Sequence, residues 1–112
     1  MLYNIVMNQT LLETIKLVPN QPGCYIYYNK ENEIIYVGKA KNLKRRVYSY
    51  FHKQHDSVKV TVLVSQIERM EYIITDSEVE ALILESHLIK KHKPRYNILL
   101  KDDKKYPYFL IT

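Results

Sequence analysis

Tryptophan is absent from this 112-residue chain, and cysteine occurs once, glycine twice and proline four times. Each scarcity excludes something. A lone thiol, Cys24, makes no internal disulfide, so the chain is no disulfide-stapled secreted module and suits a reducing, cytoplasmic setting. So little glycine and proline leaves scant room for linkers or low-complexity segments. The longest apolar runs are four to five residues, against the ~18 that a membrane-spanning helix needs. The opening "MLYNIVMNQTLLETIK" lacks both the cationic start and the small-residue cleavage site of a secretory leader.

What is present is ordinary for a single globular domain, with 46% hydrophobic and 26% charged residues. Net charge is +5 and the isoelectric point is near 9.2, a mild bias toward anionic partners. Lysine outnumbers arginine thirteen to four, which an A·T-rich coding bias can produce without functional meaning. Placement therefore says more than the total. The cations gather at Lys39, Lys41, Lys44, Arg45 and Arg46, and again at Lys90, Lys91, Lys93 and Arg95, while most acids lie elsewhere.

Periodicity sets out the elements. Residues 9 to 17 read as a short amphipathic helix with Leu11, Leu12 and Ile15 on one side, ended by Pro19 and "QPG". "CYIYYN" and "EIIYVG" read as the two strands of a hairpin. Asn42 is placed to cap a helix running to about Phe51, with Leu43, Val47, Tyr50 and Phe51 on its core side. Residues 57 to 67, "SVKVTVLVSQI", fit both a strand and a helix. "RMEYIITD" reads as a strand, and "SEVEALILESHLIKKHK" as a serine-capped helix stopping before Pro94. "NILLKDDKKYPYFLIT" reads as a turn followed by an extended apolar segment with no polar tail. The expected division is a domain over 1–100 and an extended segment over 101–112, in a chain cut from something longer.

"IIYVGKAKNLKRRVYSYF" drives a strand through Gly38 into a loop, a capped helix and five cations, an arrangement suited to anions. The phosphate-binding "GxxxxGK[ST]" spacing is absent. A solvated cationic helix face is the plain alternative. Arg46 departs from it, because it flanks Tyr50 at the border of the core stripe, whereas Lys44 and Arg45 point away. Glu85 is the second anomaly. Its helical neighbours Ala81, Leu82, Leu88 and Ile89 are apolar, so it calls for a cation: a structural partner such as Arg46 or Lys39, or a metal. Glu78 and Glu80 read as first-turn acids that suit the helix dipole. His52 and His55 lack zinc partners, and His87 and His92 read as solvent or phosphate contacts.

"PGCY" at 22 to 25 followed by "IIYVGKAKNLKRRVYSYF" resembles the paired signature motifs of the GIY-YIG nuclease superfamily. Together with "EALILE" and "KPRYNILLKDDKKYPY", residues 12 to 112 resemble the N-terminal endonuclease domain of the UvrC family. Cys24 and His87 depart from its usual residues. The resemblance implies a compact α/β (α+β) fold, a small antiparallel sheet of about three strands flanked by helices, and a helix over 57–67. It implies DNA phosphodiester hydrolysis on the 3′ side of a lesion in nucleotide excision repair. Tyr36 would be the general base, Tyr25 and Tyr50 further site tyrosines, Arg46 the phosphate-neutralising cation, and Glu85 the ligand of one Mg²⁺ or Mn²⁺ ion. Gly38, Lys39, Lys41, Lys44, Arg45 and Asn97 would contact DNA or support the site. Lesion-containing duplex DNA and the UvrB–DNA complex are the implied partners, with the domain monomeric and no membrane involved. A shorter homologue, a fused nuclease module and a non-catalytic nucleic-acid-binding domain are the competing readings.

Overall fold

The computed structural model describes residues 9–52 and 57–103. Eight elements follow in order. They are α1 (Gln9–Leu17), β1 (Gly23–Tyr28), β2 (Ile34–Ala40), α2 (Leu43–Phe51), α3 (Val58–Gln66), β3 (Arg69–Ile74), α4 (Glu78–His92) and α5 (Arg95–Asp103). The strands form one antiparallel sheet in the order β2-β1-β3. The three-stranded α/β fold implied by the family resemblance is the fold observed.

β1 is buried along nearly its whole length, as a central strand covered on both faces must be. Its alternate side chains face two different layers. Tyr25 and Tyr27 meet Tyr50 and Phe51 of α2. Cys24 points the other way, its thiol donating to the Ala81 carbonyl of α4 at 3.1 Å. Burial beside α4 pushes that thiol up to about 11, leaving it a small core residue. α1 adds Leu11 and Ile15 to the core, each contributing about 1.5–3 kcal/mol by its burial.

The helix starts follow local chemistry. Asn42, Ser57 and Ser77 each accept a hydrogen bond from a first-turn amide, those of Arg45, Val60 and Glu80. Ser57 thus settles the ambiguous stretch as helix, with only Leu63 of α3 buried. α4 ends at Lys93 in a left-handed conformation (φ 45°), whose N–H donates to the Ile89 carbonyl, and Pro94 follows.

α5 corrects one expectation. The chain from Asn97 onward, read as a turn followed by an extended segment, is helical as far as Asp103 and runs through the expected boundary at residue 100. Tyr96 and Leu100, four apart, are both buried, and that docking outweighs the turn-like "KDD". The rest of the segment expected to be extended, 104–112, lies outside the described residues.

The hairpin tip is tied to β3 by Arg69, which donates to Asn32 and to Glu71 and lies 3.8 Å from the Tyr28 ring centroid. Inside, one polar atom stands out. Tyr27 is 0% exposed, and its hydroxyl is the buried side-chain oxygen without a hydrogen-bond partner among the described residues. Tyr27→Phe removes that atom and keeps the ring. Its urea midpoint is expected to rise, corresponding to about 1 kcal/mol of added stability.

Candidate active site

Strand register builds the site. Tyr25 lies opposite Gly38, and Tyr27 opposite Tyr36. Three tyrosines, Tyr25, Tyr27 and Tyr36, therefore share one face of the sheet, and α2 sets Tyr50 against them, with all four ring centroids within 6.2 Å of one another. The Tyr25 and Tyr50 hydroxyls are hydrogen-bonded at 3.0 Å. Gly38 is required by close approach, since a Cβ there would run into the ring and hydroxyl of Tyr25. The Asn42 cap sets the phase of α2, so that Val47 and Tyr50 point inward while Arg46 stays exposed at the border. The Arg46 guanidinium sits 5.9 Å from the Tyr50 ring centroid.

The electrostatics of this cluster are uneven. Burial pushes Tyr36 well above the ordinary tyrosine range; Tyr50 and Glu85 push it further, and Arg46 offsets only part. Tyr25 and Tyr50 are likewise raised, first by burial. The tyrosines around Arg46, Tyr25 foremost, hold its guanidinium firmly protonated. The cationic loop does not by itself lower Tyr36. Desolvation of the ring outweighs one nearby arginine.

Glu85 comes from α4, which packs chiefly on β2 and β1. It is half-buried and acts electrostatically on both Tyr36 and Cys24. The apolar stripe around it is less dry than its sequence implies. Ala81 is fully buried, but Leu82 is 47% exposed, and Leu88 and Ile89 are half-buried. α4 lies on a narrow sheet, so one side of that stripe faces solvent. Lys39 pairs with Glu78 at 3.7 Å. Glu78, read from sequence as a dipole-stabilising acid, thus enters the cationic region.

Asn97 closes the outer edge of β2. Its Oδ1 accepts from the Val37 N–H at 2.9 Å, and its Nδ2 donates to the Val37 carbonyl at 2.9 Å. The side-chain amide substitutes for a neighbouring strand between Tyr36 and Gly38. Lys39, Lys41, Arg45 and Arg46 line one cavity of about 460 Å³ at the junction of β2 and α2. Lys44 is set apart from them. It leans over Tyr48 on the far flank of α2 and donates to the Lys16 carbonyl of α1. His87 and His92 are exposed, and His55 lies outside the described residues.

Two neighbours of the site escaped the sequence reading. Tyr27 shares the strand parity of Tyr25, and Glu78 lies two turns before Glu85 on the same helix stripe. Those spacings were the available signals. Among the described residues, no group of three or more His, Cys, Asp or Glu is placed to hold a metal.

Tyrosines and an arginine on a strand-loop-helix unit thus meet a glutamate from a neighbouring helix at one edge of a small α/β domain. Residues 21–98 match the family model of the UvrC-like GIY-YIG domain, and the chain belongs to that family. It is 57% identical over 106 residues to the UvrABC system protein C of Streptococcus mutans, covering 95% of this chain and 18% of that protein. It is 54% identical over 103 residues to that of Mycoplasma mycoides, covering 92% and 18%. The chain thus spans under a fifth of the length of these relatives. Its fold is similar to the GIY-YIG N-terminal endonuclease domain of UvrC from Thermotoga maritima, solved bound to magnesium as its catalytic divalent cation. That match has a TM-score of 0.71 and 41% identity, covering 80% of this chain and 98% of the other.

The Asn97 clamp is testable without any activity. Asn97→Ala leaves the Val37 amide and carbonyl without their partner and is expected to cost about 1–3 kcal/mol, read as a lower thermal midpoint. Asn97→Asp should cost no less, because its carboxylate faces the Val37 carbonyl.

Proposed function

We propose that the chain is the metal-dependent endonuclease domain of a UvrC-type excision-repair protein, hydrolysing a DNA phosphodiester on the 3′ side of a lesion. The observation that carries this reading is the convergence of Tyr36, the Tyr25–Tyr50 pair, Arg46 and Glu85 around the outer edge of β2. A domain that only bound DNA would need the cations and not these packed tyrosines with a carboxylate beside them.

Tyr36, ionised to its phenolate, takes the proton of the attacking water as the water oxygen bonds to phosphorus and the bond to the 3′ oxygen breaks. Arg46 neutralises the phosphate as negative charge builds on its oxygens. The Tyr25–Tyr50 hydrogen bond holds Tyr50 in place beneath Arg46. The donor set near Tyr36 offers one half-buried carboxylate, Glu85, which suits a hard cation that keeps most of its own water. One Mg²⁺ or Mn²⁺ ion held there would supply the positive charge that favours the Tyr36 phenolate and stabilises the departing 3′ oxygen. The solved Thermotoga domain is bound to magnesium, which supports the same ion here. Lesion-containing duplex DNA and the UvrB–DNA complex are the proposed partners, since the relatives are components of the UvrABC system, and the setting is the cytoplasm. No helix among the described residues is long and apolar enough to cross a membrane.

Two substitutions test the reading in the intact protein with its partners. Tyr36→Phe should abolish nicking with little change in melting temperature. Because burial raises the Tyr36 pKa, less phenolate forms at low pH. The wild-type rate should therefore climb about tenfold per pH unit across the neutral range. Any residual Tyr36→Phe rate should be flat over the same range; a fully active variant removes Tyr36 as the base.

Glu85→Gln should abolish both nicking and Mn²⁺ binding, the latter followed by calorimetry, while stability holds or rises. A structural ion pair predicts the reverse, a loss of about 3–5 kcal/mol with Mn²⁺ binding intact. Glu80→Gln, in the first turn of the same helix, is the control and should move neither quantity.

A further inference from the structure

The cavity beside the tyrosine cluster holds more positive charge than one phosphate needs. Lys39 and Lys41 enter it from the end of β2, Arg45, Arg46 and Ser49 from α2, and Glu78 from α4. Four cations against one carboxylate give a net charge of +3 (4 − 1) in about 460 Å³. A single phosphodiester carries one negative charge, so the scissile phosphate alone leaves two charges uncompensated. Arg46 is the wall common to both spaces, because its guanidinium leans over Tyr50 while its side chain borders the cavity. Arg45, on the outward side of α2, borders the cavity without a ring contact to the tyrosine cluster.

Glu78 is the odd member. Its carboxylate reaches Lys39 at 3.7 Å, with the two side chains 45% and 32% exposed. Glu80, from the same turn, instead accepts from the Asp76 N–H at 3.0 Å. An ion pair this open to water is weak and salt-sensitive, and an incoming phosphate competes for the same ammonium.

We propose that this cavity is a second phosphate subsite, taking the DNA backbone phosphate next to the scissile one, and that Glu78 occupies Lys39 until that phosphate replaces it. The proposal rests on the reading of Tyr36 and Arg46 as the scissile-phosphate site. Glu78 then sets how tightly the free domain holds any DNA. A loosely presented strand must displace the carboxylate, and a strand seated on Arg46 does so with the help of its neighbouring phosphate.

The test is binding without cleavage, by fluorescence anisotropy of a duplex oligonucleotide in EDTA over a series of salt concentrations. Glu78→Gln should bind several-fold more tightly at low salt, with the gain fading as salt rises. Glu80→Gln removes the same formal charge and should stay within about twofold of wild type. Lys41→Ala and Arg45→Ala should each flatten the log–log salt slope by about 0.9, the loss of one phosphate contact. A single neutral methylphosphonate walked along one strand should weaken wild-type binding at a position where the Lys41→Ala/Arg45→Ala double variant is indifferent. Equal effects of Glu78→Gln and Glu80→Gln overturn the role of Glu78. A methylphosphonate profile identical in the two proteins overturns the subsite. Failure of the nuclease reading shows separately, as absence of nicking by the intact protein, and leaves these binding results unchanged.

Discussion

Tyr25 can lie flat across β2 only because residue 38 has no side chain. That single close approach fixes much else. It brings the Tyr25 hydroxyl within hydrogen-bonding distance of Tyr50, and it sets Tyr27 opposite Tyr36 two pairs further along. A slip of β1 by one residue would send Tyr25 and Tyr27 to the α4 face and Cys24 to the α2 face. The bulge between Tyr27 and Tyr28 falls beyond these pairs, so the irregularity of the hairpin does not disturb them. α2 then has one phase compatible with the cluster, the one that the Asn42 cap provides.

The site is assembled around a sheet edge rather than in a deep cleft. β2 is one of the two outer strands, and three layers reach its edge: the tyrosine face under α2, α4 with Glu85, and α5 with Asn97. An open edge would be a liability for pairing with another chain. Asn97 blocks it with one amide instead of a strand, which leaves the neighbouring backbone accessible. The cost of the arrangement is electrostatic. Packing four phenols together excludes water, so each resists ionisation, and one bordering arginine cannot reverse that.

Legibility in the sequence followed the range of the interactions. The caps at Asn42, Ser57 and Ser77 act over three residues, and two of them could be read directly. The strands of the hairpin announced themselves by apolar runs, and the family motifs carried the site residues on them. Glu85 was conspicuous, although its surroundings are wetter than its apolar neighbours suggested. The clamp of Asn97 on Val37 spans 60 residues, and nothing local in "RYNILL" marks it. α5 was missed because Pro94 and the "KDD" run resemble turn punctuation, while the burial of Tyr96 and Leu100 comes from tertiary packing. Lys44 and Arg45, adjacent in sequence, fall on different flanks of α2, and it is the Lys16 carbonyl of α1 that holds Lys44 on its side.

The chain has eleven tyrosines and no tryptophan, so its near-ultraviolet optical activity and intrinsic fluorescence come essentially from phenol rings. Four of those rings sit in asymmetric, water-excluded contact at the site itself. Excitation will pass among them, and their dichroism will depend on their mutual tilt. The domain thus carries a built-in chromophore whose signal includes the geometry of the site, without an added label.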